Sequence, residues 1–304
     1  MRVGIDVGGT TVKVGYIENK KFIYDYEIDT KGGSLFDKVF ENIKNFSKEK
    51  NIKIDFIGIG VPGHVENNYI TRLPNIGLSD FDISLCAKKY FNDDIEIKSS
   101  NDANVAALGE AIYAKIKDRV FMITLGTGVG GGFVKNYKIV EGAHYSVGEI
   151  GHIVIDNKHK YKCTCGLKGC LETVSSATGI KRLAYEYQNQ FDKTLIDFTN
   201  LSAKEVCDKA KLKDELALKV INEACDNLGR AMAMISLAVD PNVFFIGGGV
   251  AKCGEFLIEL IKYYYRKYAH FAVKDTVIMQ AALGNKAGMF GASYLWDENY
   301  REEA

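Results

Sequence analysis

The sequence predicts an α/β protein in two lobes, and three observations carry that prediction. Short strand-like runs alternate with stretches of helical periodicity along the whole chain, the pattern of α/β folds. A strand, a glycine turn and a second strand occur twice, as GIDVGGTTVKVGYI from Gly4 and ITLGTGVGGGFVKNYKI from Ile123, a faint internal duplication. No low-complexity linker interrupts the chain, so the two lobes are expected to be closely joined.

Taken in order, Arg2 to Ile28 reads as three strands joined by tight turns. Leu35, Val39, Ile43 and Phe46 recur at helical spacing after Gly32-Gly33-Ser34, which predicts a helix over 35–46. Asp55 to Val61 is a short buried strand stopped by Pro62-Gly63, and His64 to Asp80 shows no period and reads as a functional loop. A helix over 83–90 and a strand over 95–97 follow. Asn101, Asp102 and Asn104 then open an alanine-rich helix, with polar groups where a helix entry needs acceptors. In the second half, strand 120–125 leads through glycines 126–132 to a strand from Phe133. Helices are expected over 178–187, 203–209, 214–239 and 255–268, strands over 243–246 and 277–280, and a closing helix over 285–296.

With 304 residues the chain is long enough for two domains, and its 39 basic residues balance 39 acidic ones. No basic block stands out, so neither nucleic acid nor a membrane surface is an expected partner. The longest apolar run, Ala231 to Val239, is too short to cross a bilayer. A strand beginning at Arg2 leaves no expected leader. Of seven cysteines, Cys86, Cys207, Cys225 and Cys253 are scattered and read as reduced thiols, which points to the cytoplasm.

The densest chemistry lies between Gly148 and Glu172. Cys163, Cys165 and Cys170 have metal-ligand spacing, and Gly166 and Gly169 allow the backbone to turn tightly enough for three thiolates to converge. His152 is the expected fourth ligand of a structural zinc, with His159 as a rival. A disulfide across one intervening residue would be strained, and free thiols are the remaining alternative. Glu149 and Glu172 flank the knot as hydrogen-bond acceptors suited to a polyol, or equally as a solvated pair. With one ring nitrogen on zinc, His152 keeps the other to donate outward, so the metal would orient a substrate-binding histidine.

Three glycine turns are candidate phosphate cradles, because backbone without side chains exposes its N–H groups to an anion. They are Asp6 with Gly8, Gly9, Thr10 and Thr11; Gly126, Thr127 and Gly128; and Gly247, Gly248 and Gly249. Gly126-x-Gly128-x-x-Gly131 fits the dinucleotide pattern, but β-branched and aromatic residues follow it where a helix should open. No Walker motif is present. Asp6 is a poor neighbour for phosphate unless Mg2+ stands between them.

In sequence order these motifs resemble the ROK family of sugar kinases and repressors, over essentially the whole chain. Asp6 to Thr11 resembles the family's first phosphate loop and Leu125 to Gly132 its second. Gly148 to His152 with Cys163, Cys165, Cys170 and Glu172 resembles its sugar and zinc signature. Segments 172–180 and 282–288 look most like the bacterial glucokinase branch.

The resemblance implies an actin-like ATPase (ribonuclease H-like) fold, two α/β lobes with a central cleft where ATP and sugar meet. The small lobe would comprise residues 1–116 plus 287–304, and the large lobe, 117–286, would carry the zinc knot. It implies Asp102 as catalytic base. Gly63, Asn75, Asn101, Glu149, His152 and Glu172 would hold the sugar, and Asp6 would reach Mg2+. Gly247 to Gly249 would line the adenosine pocket. The activity implied is ATP-dependent phosphorylation of the 6-hydroxyl of a hexose, glucose before N-acetylmannosamine or another hexose, by a homo-dimer or tetramer. Two departures bear on sugar identity: Asn75 to Phe81 lacks the Trp common in this branch, and His144 to Val147 lacks the usual small residues. A sugar-responsive repressor would need a helix-turn-helix ahead of the first phosphate loop, and Gly4 leaves no expected room for one.

Overall fold

The computed structural model describes residues 1–29, 34–73, 77–92 and 95–295. Its first strands, β1 (Arg2–Val7), β2 (Thr11–Glu18) and β3 (Lys21–Asp29), form an antiparallel meander. The helix α1 (Leu35–Glu49) follows, burying Leu35, Phe36, Val39, Phe40 and Ile43 along one face. It returns the chain to β4 (Phe56–Val61), which pairs parallel with β1 and is buried at all six positions. A small antiparallel sheet of β5 (His64–Glu66), β6 (Tyr69–Leu73) and β7 (Leu78–Asp82) comes next, then α2 (Ile83–Ala87) and β8 (Glu96–Asn101), parallel to β4.

The helix α3 (Asp102–Ala114) then leads to β9 (Val120–Leu125), β10 (Val129–Lys135) and β11 (Lys138–Ile139). Helices α4 (Glu172–Ser175), α5 (Ala177–Tyr187), α6 (Ala203–Lys211) and α7 (Glu215–Val239) precede β12 (Val243–Gly247). Last come α8 (Glu255–Tyr268), β13 (Val277–Gln280) and α9 (Ala287–Ala292). None of the described helices is long and apolar enough to cross a membrane.

The two larger sheets have one plan. The first runs β3-β2-β1-β4-β8 and the second β11-β10-β9-β12-β13. In each, a three-strand run occupies one side and two later strands extend the other, so the repeated strand–glycine–strand motif marks a repeated unit. Parallel neighbours need crossovers of about a dozen residues or more, which helices supply.

By internal contacts the chain divides into two compact units. One comprises Met1–Lys117, Gly132–Ser146 and the chain from Asn285 onward; the other comprises Asp118–Gly131 and Val147–Gly284. Residues 132–146 thus group with the first unit, whereas the sequence boundaries put them in the larger lobe. Their contacts explain this: Tyr137 N donates to Lys117 O, and Glu141 accepts from Ser100.

In the first unit, glycines let α9 lie against the sheet and α3. A Cβ on Gly4 would stand 1.8 Å from Met289 O, and one on Gly58 would stand 1.7 Å from Ala292 O. Tyr16, Phe36 and Phe40 fill the core under α1, with the Tyr16 hydroxyl 3.1 Å from Ser47 Oγ. In the second unit, Phe244 and Phe245 of β12 and Tyr265 of α8 are fully buried.

Several expectations need correction. Residues 64–80 are not a loop through their described length but strands of the small sheet, turned at Asn67 and Asn68 with φ 49° and 64°. Each strand is too short for alternation to register. β10 begins at Val129, inside the expected glycine turn, because those glycines are extended strand residues. The closing helix is shorter than expected, Ala287–Ala292. Cys207 and Cys253, read as reduced thiols, are joined by a disulfide 46 residues apart in sequence, where α6 packs by the turn after β12.

Candidate active site

In the first unit the chemistry gathers at the carboxyl ends of the parallel strands β1, β4 and β8, where open α/β sheets bind ligands. Asp6 lies at the end of β1, cross-strand from Lys13, whose Nζ is 3.8 Å from Asp6 Oδ2. Burial raises the Asp6 pKa above the ordinary carboxylate range, and Lys13 opposes the shift. The space for this carboxylate comes from Gly288, where a Cβ would stand 2.6 Å from Asp6 Cγ. The β1–β2 turn closes with Gly8 N donating to Thr11 O at 2.9 Å, while a Cβ on Gly9 would meet nothing within 4 Å. Gly9 and Thr10 are exposed. The turn therefore offers backbone N–H groups and hydroxyls to an anion beside a carboxylate able to hold hydrated Mg2+.

At the end of β8, Asn101 caps α3, accepting from Ala103 N at 2.9 Å and Asn104 N at 3.4 Å. Its amide nitrogen donates to Gly63 O at 3.3 Å, so the Pro62-Gly63 turn is fixed to the helix entry. Asp102 is the first residue of α3, half-buried, and Oδ1 accepts from Ala103 N at 2.8 Å. The positive end of the helix dipole favours its negative charge. The side-chain cap is thus Asn101, and Asp102 stands beside it on the Ala103 amide. Asn75 lies outside the described residues.

The second unit holds the cysteine knot. Residues 153–171 fold as a tight loop: Leu171 N donates to Ile153 O and Cys163 N to Leu167 O. Gly166 and Gly169 have φ of 95° and 79°, the left-handed region that glycine alone adopts freely. This brings Cys165 Sγ to 3.6 Å from Cys170 Sγ, and His152 Nδ1 to 3.5 Å from Cys163 Sγ.

All four donor atoms lie within 4.8 Å of one another. Ligands about 2.3 Å from a tetrahedral ion stand about 3.7 Å apart, so the donor set fits Zn2+ in both chemistry and size. Burial pushes the Cys170 thiol up to about 12 and raises Cys163 too, while a backbone hydrogen bond from Leu167 lowers Cys165. A cation among them would favour the thiolates. His159, the rival ligand, turns away to Glu223, with Nε2 2.6 Å from Oε1, and stacks on Tyr161.

Around the knot stand the expected polyol acceptors. His152 has Nδ1 toward the sulfurs and Nε2 3.8 Å from Glu149 Oε2. Glu172 opens α4 and accepts from Cys163 Sγ at 2.9 Å. Its other oxygen occupies the space a Cβ on Gly128 would take, at 2.6 Å. Glu172 thus touches both the knot and the second glycine turn. That turn is closed by Gly126 N donating to Gly128 O, and Thr127 is exposed. At the end of β12, Gly248 has φ 86° with its Cα against Leu125, and Gly249 faces open space.

Sequence reasoning missed Gly288 and Lys13. The hairpin register of β1 and β2 pairs Lys13 with Asp6 and was the available signal for the second; no local signal marks Gly288.

The model of the ROK family matches residues 2–299. The chain belongs to the ROK family. Among its ROK relatives, a glucokinase of Halalkalibacterium halodurans is 38% identical, over 96% of this chain and 94% of its own length. An N-acetyl-D-glucosamine kinase of Histophilus somni is 30% identical over 97% and 99%. The solved structure of a ROK family glucokinase from Streptomyces griseus, with glucose and AMPPNP bound, superposes with a TM-score of 0.78 at 26% identity, over 97% and 98%. The fold is accordingly that of the ROK sugar kinases, the actin-like ATPase fold.

Proposed function

We propose that this protein is an ATP-dependent hexose kinase acting on glucose, a glucokinase. The observation that carries the reading is the whole-length likeness to a glucokinase at 38% identity. Asp102 supports it, standing at a helix entry beside Asn101 and Gly63.

In this reading Asp102 takes the proton of the sugar 6-hydroxyl as that oxygen attacks the γ-phosphorus of ATP. ADP then leaves with the displaced electron pair. A positioned general base contributes roughly 10²–10⁴ in rate. Asn101 and the Gly63 backbone orient the acceptor, and Glu149, His152 and Glu172 bind its hydroxyls. Asn75 belongs to the same proposed set. Asp6 would hold hydrated Mg2+, which would supply charge neutralisation to the phosphates, and Gly8, Gly9, Thr10 and Thr11 would supply donors to them. Gly126, Thr127, Gly128 and Gly247 to Gly249 bind the rest of the nucleotide. Zinc on His152, Cys163, Cys165 and Cys170 would be structural, orienting the imidazole. A cytoplasmic setting, where ATP is available, and a homo-oligomer complete the reading; light scattering measures the latter.

The 30% identity to an N-acetyl-D-glucosamine kinase favours one second reading, a kinase of an N-acylated hexosamine. A coupled assay of ADP release over glucose, mannose, N-acetylglucosamine and N-acetylmannosamine decides. Glucose should give the highest kcat/KM; an N-acylated sugar in that place would overturn the assignment.

A further inference from the structure

Tyr145 lies in the loop after β11, in the first unit, with a left-handed backbone of φ 53°. A bulky aromatic is a rare occupant of that region, which suits glycine, so surrounding contacts must hold it there. Two are evident. Its hydroxyl donates to Glu66 Oε1 at 3.0 Å, and its ring stands edge to face with His64, centroids 5.3 Å apart. The start of the loop is fixed as well, because Ser100 Oγ donates to Glu141 Oε1 at 3.0 Å.

These contacts lead directly to the proposed acceptor residues. His64 follows Gly63, whose carbonyl accepts from Asn101, and Asn101 precedes Asp102. His64 Nδ1 lies 3.4 Å from Thr71 Oγ1. The imidazole is exposed, so removing the tyrosine ring takes away one of the side-chain contacts that hold it. Tyr145 also lines a cavity of about 470 Å³ with Val65, Asn67, Ser100 and Glu141.

We propose that Tyr145 is a specificity-determining residue whose ring, braced by Glu66, fixes His64 beside Gly63 and limits the bulk of the hexose presented to Asp102. The proposal rests on the hexose kinase reading above. It assigns the screening to the ring; the hydroxyl only steadies it.

The test compares wild type, Tyr145→Gly and Tyr145→Phe in the full-length protein, with glucose and N-acetylglucosamine as acceptors. Glycine accepts the left-handed backbone, so Tyr145→Gly should keep the wild-type melting temperature. Its ratio of kcat/KM for glucose over N-acetylglucosamine should fall by about tenfold, chiefly through the two sugar KM values. The KM for ATP should stay within about twofold. Tyr145→Phe keeps the ring and should hold the ratio within about threefold of wild type. An unchanged ratio in Tyr145→Gly overturns the proposal, as does Tyr145→Phe behaving like Tyr145→Gly. Equal changes in the sugar and ATP constants would mean a general structural role and overturn it too. Wild-type protein that phosphorylates no hexose overturns the kinase reading itself, a result distinct from an active enzyme whose ratio is insensitive to Tyr145.

Discussion

Gly288→Ala separates the place of the Asp6 carboxylate from its identity. The added Cβ would stand 2.6 Å from Asp6 Cγ and 2.9 Å from each carboxylate oxygen. Ordinary carbon contacts begin near about 3.5 Å, so the carboxylate must move by roughly 1 Å or α9 must lift. α9 is held close by Gly4 and Gly58, and its own Gly291 lies against Val105 O, so the helix resists. The carboxylate is the softer partner. Overpacking of this kind costs about 1–3 kcal/mol, and if that is lost from the Mg2+–ATP arrangement, kcat/KM for ATP falls by about 5- to 150-fold. Glucose affinity measured calorimetrically without nucleotide should be unchanged. The assay is ADP release over a range of Mg2+–ATP at saturating glucose, with a melting curve alongside. A folded Gly288→Ala protein with wild-type kcat/KM for ATP would refute the claim that this carboxylate serves the nucleotide.

Three further predictions follow from the site. Asp102→Asn keeps the first turn of α3 but removes the base, so turnover should drop by roughly 10²-fold or more with little change in glucose affinity; near-normal turnover excludes Asp102 as base. Cys165→Ser, or chelation, should remove zinc and raise the KM for glucose far more than that for ATP, because His152 and Glu172 adjoin the knot; equal rises would mean general unfolding. Asp6 carries a raised pKa in the folded state. Its contribution to stability is therefore present below the unfolded value and lost as pH rises through the folded one. Asp6→Asn should accordingly melt higher at pH 7 by about 2 °C, lose that advantage at pH 3, and be inactive with Mg2+–ATP. A lower melting point at pH 7 would contradict it.

The legible parts of this chain are those whose geometry is set locally. The first glycine turn, the Asn101-Asp102 helix entry and the Cys163–Cys170 loop each join residues near in sequence, so spacing alone conveys their shape. The pairing of β9 with β10 was foreshadowed by the repeated strand–glycine–strand run for the same reason. The small sheet escaped because β5 has only three residues, though the Asn67-Asn68 pair is itself a hairpin signal. The Cys207–Cys253 disulfide and the Gly288–Asp6 approach were invisible for another reason: each joins distant segments through packing that no local pattern encodes. Tyr145 sits between these cases. Its residue type departs from the small residues of the family, but only the backbone angle and the Glu66 bond show where that departure acts.

The close seat of α9 on β1 and β4 sets an order of events during synthesis. Gly4 and Gly58 leave the ribosome long before the backbone they approach, at Met289 and Ala292. The first unit therefore cannot close its core until α9 has emerged, however early its strands pair. Val147–Gly284, by contrast, is contiguous in the second unit and short of only Asp118–Gly131, which has already emerged. The nascent chain should then carry a finished second unit while β1 and β4 wait with an uncovered apolar face. That interval is when chaperone protection matters most, and truncations near residue 290 should yield aggregation in place of a smaller active enzyme.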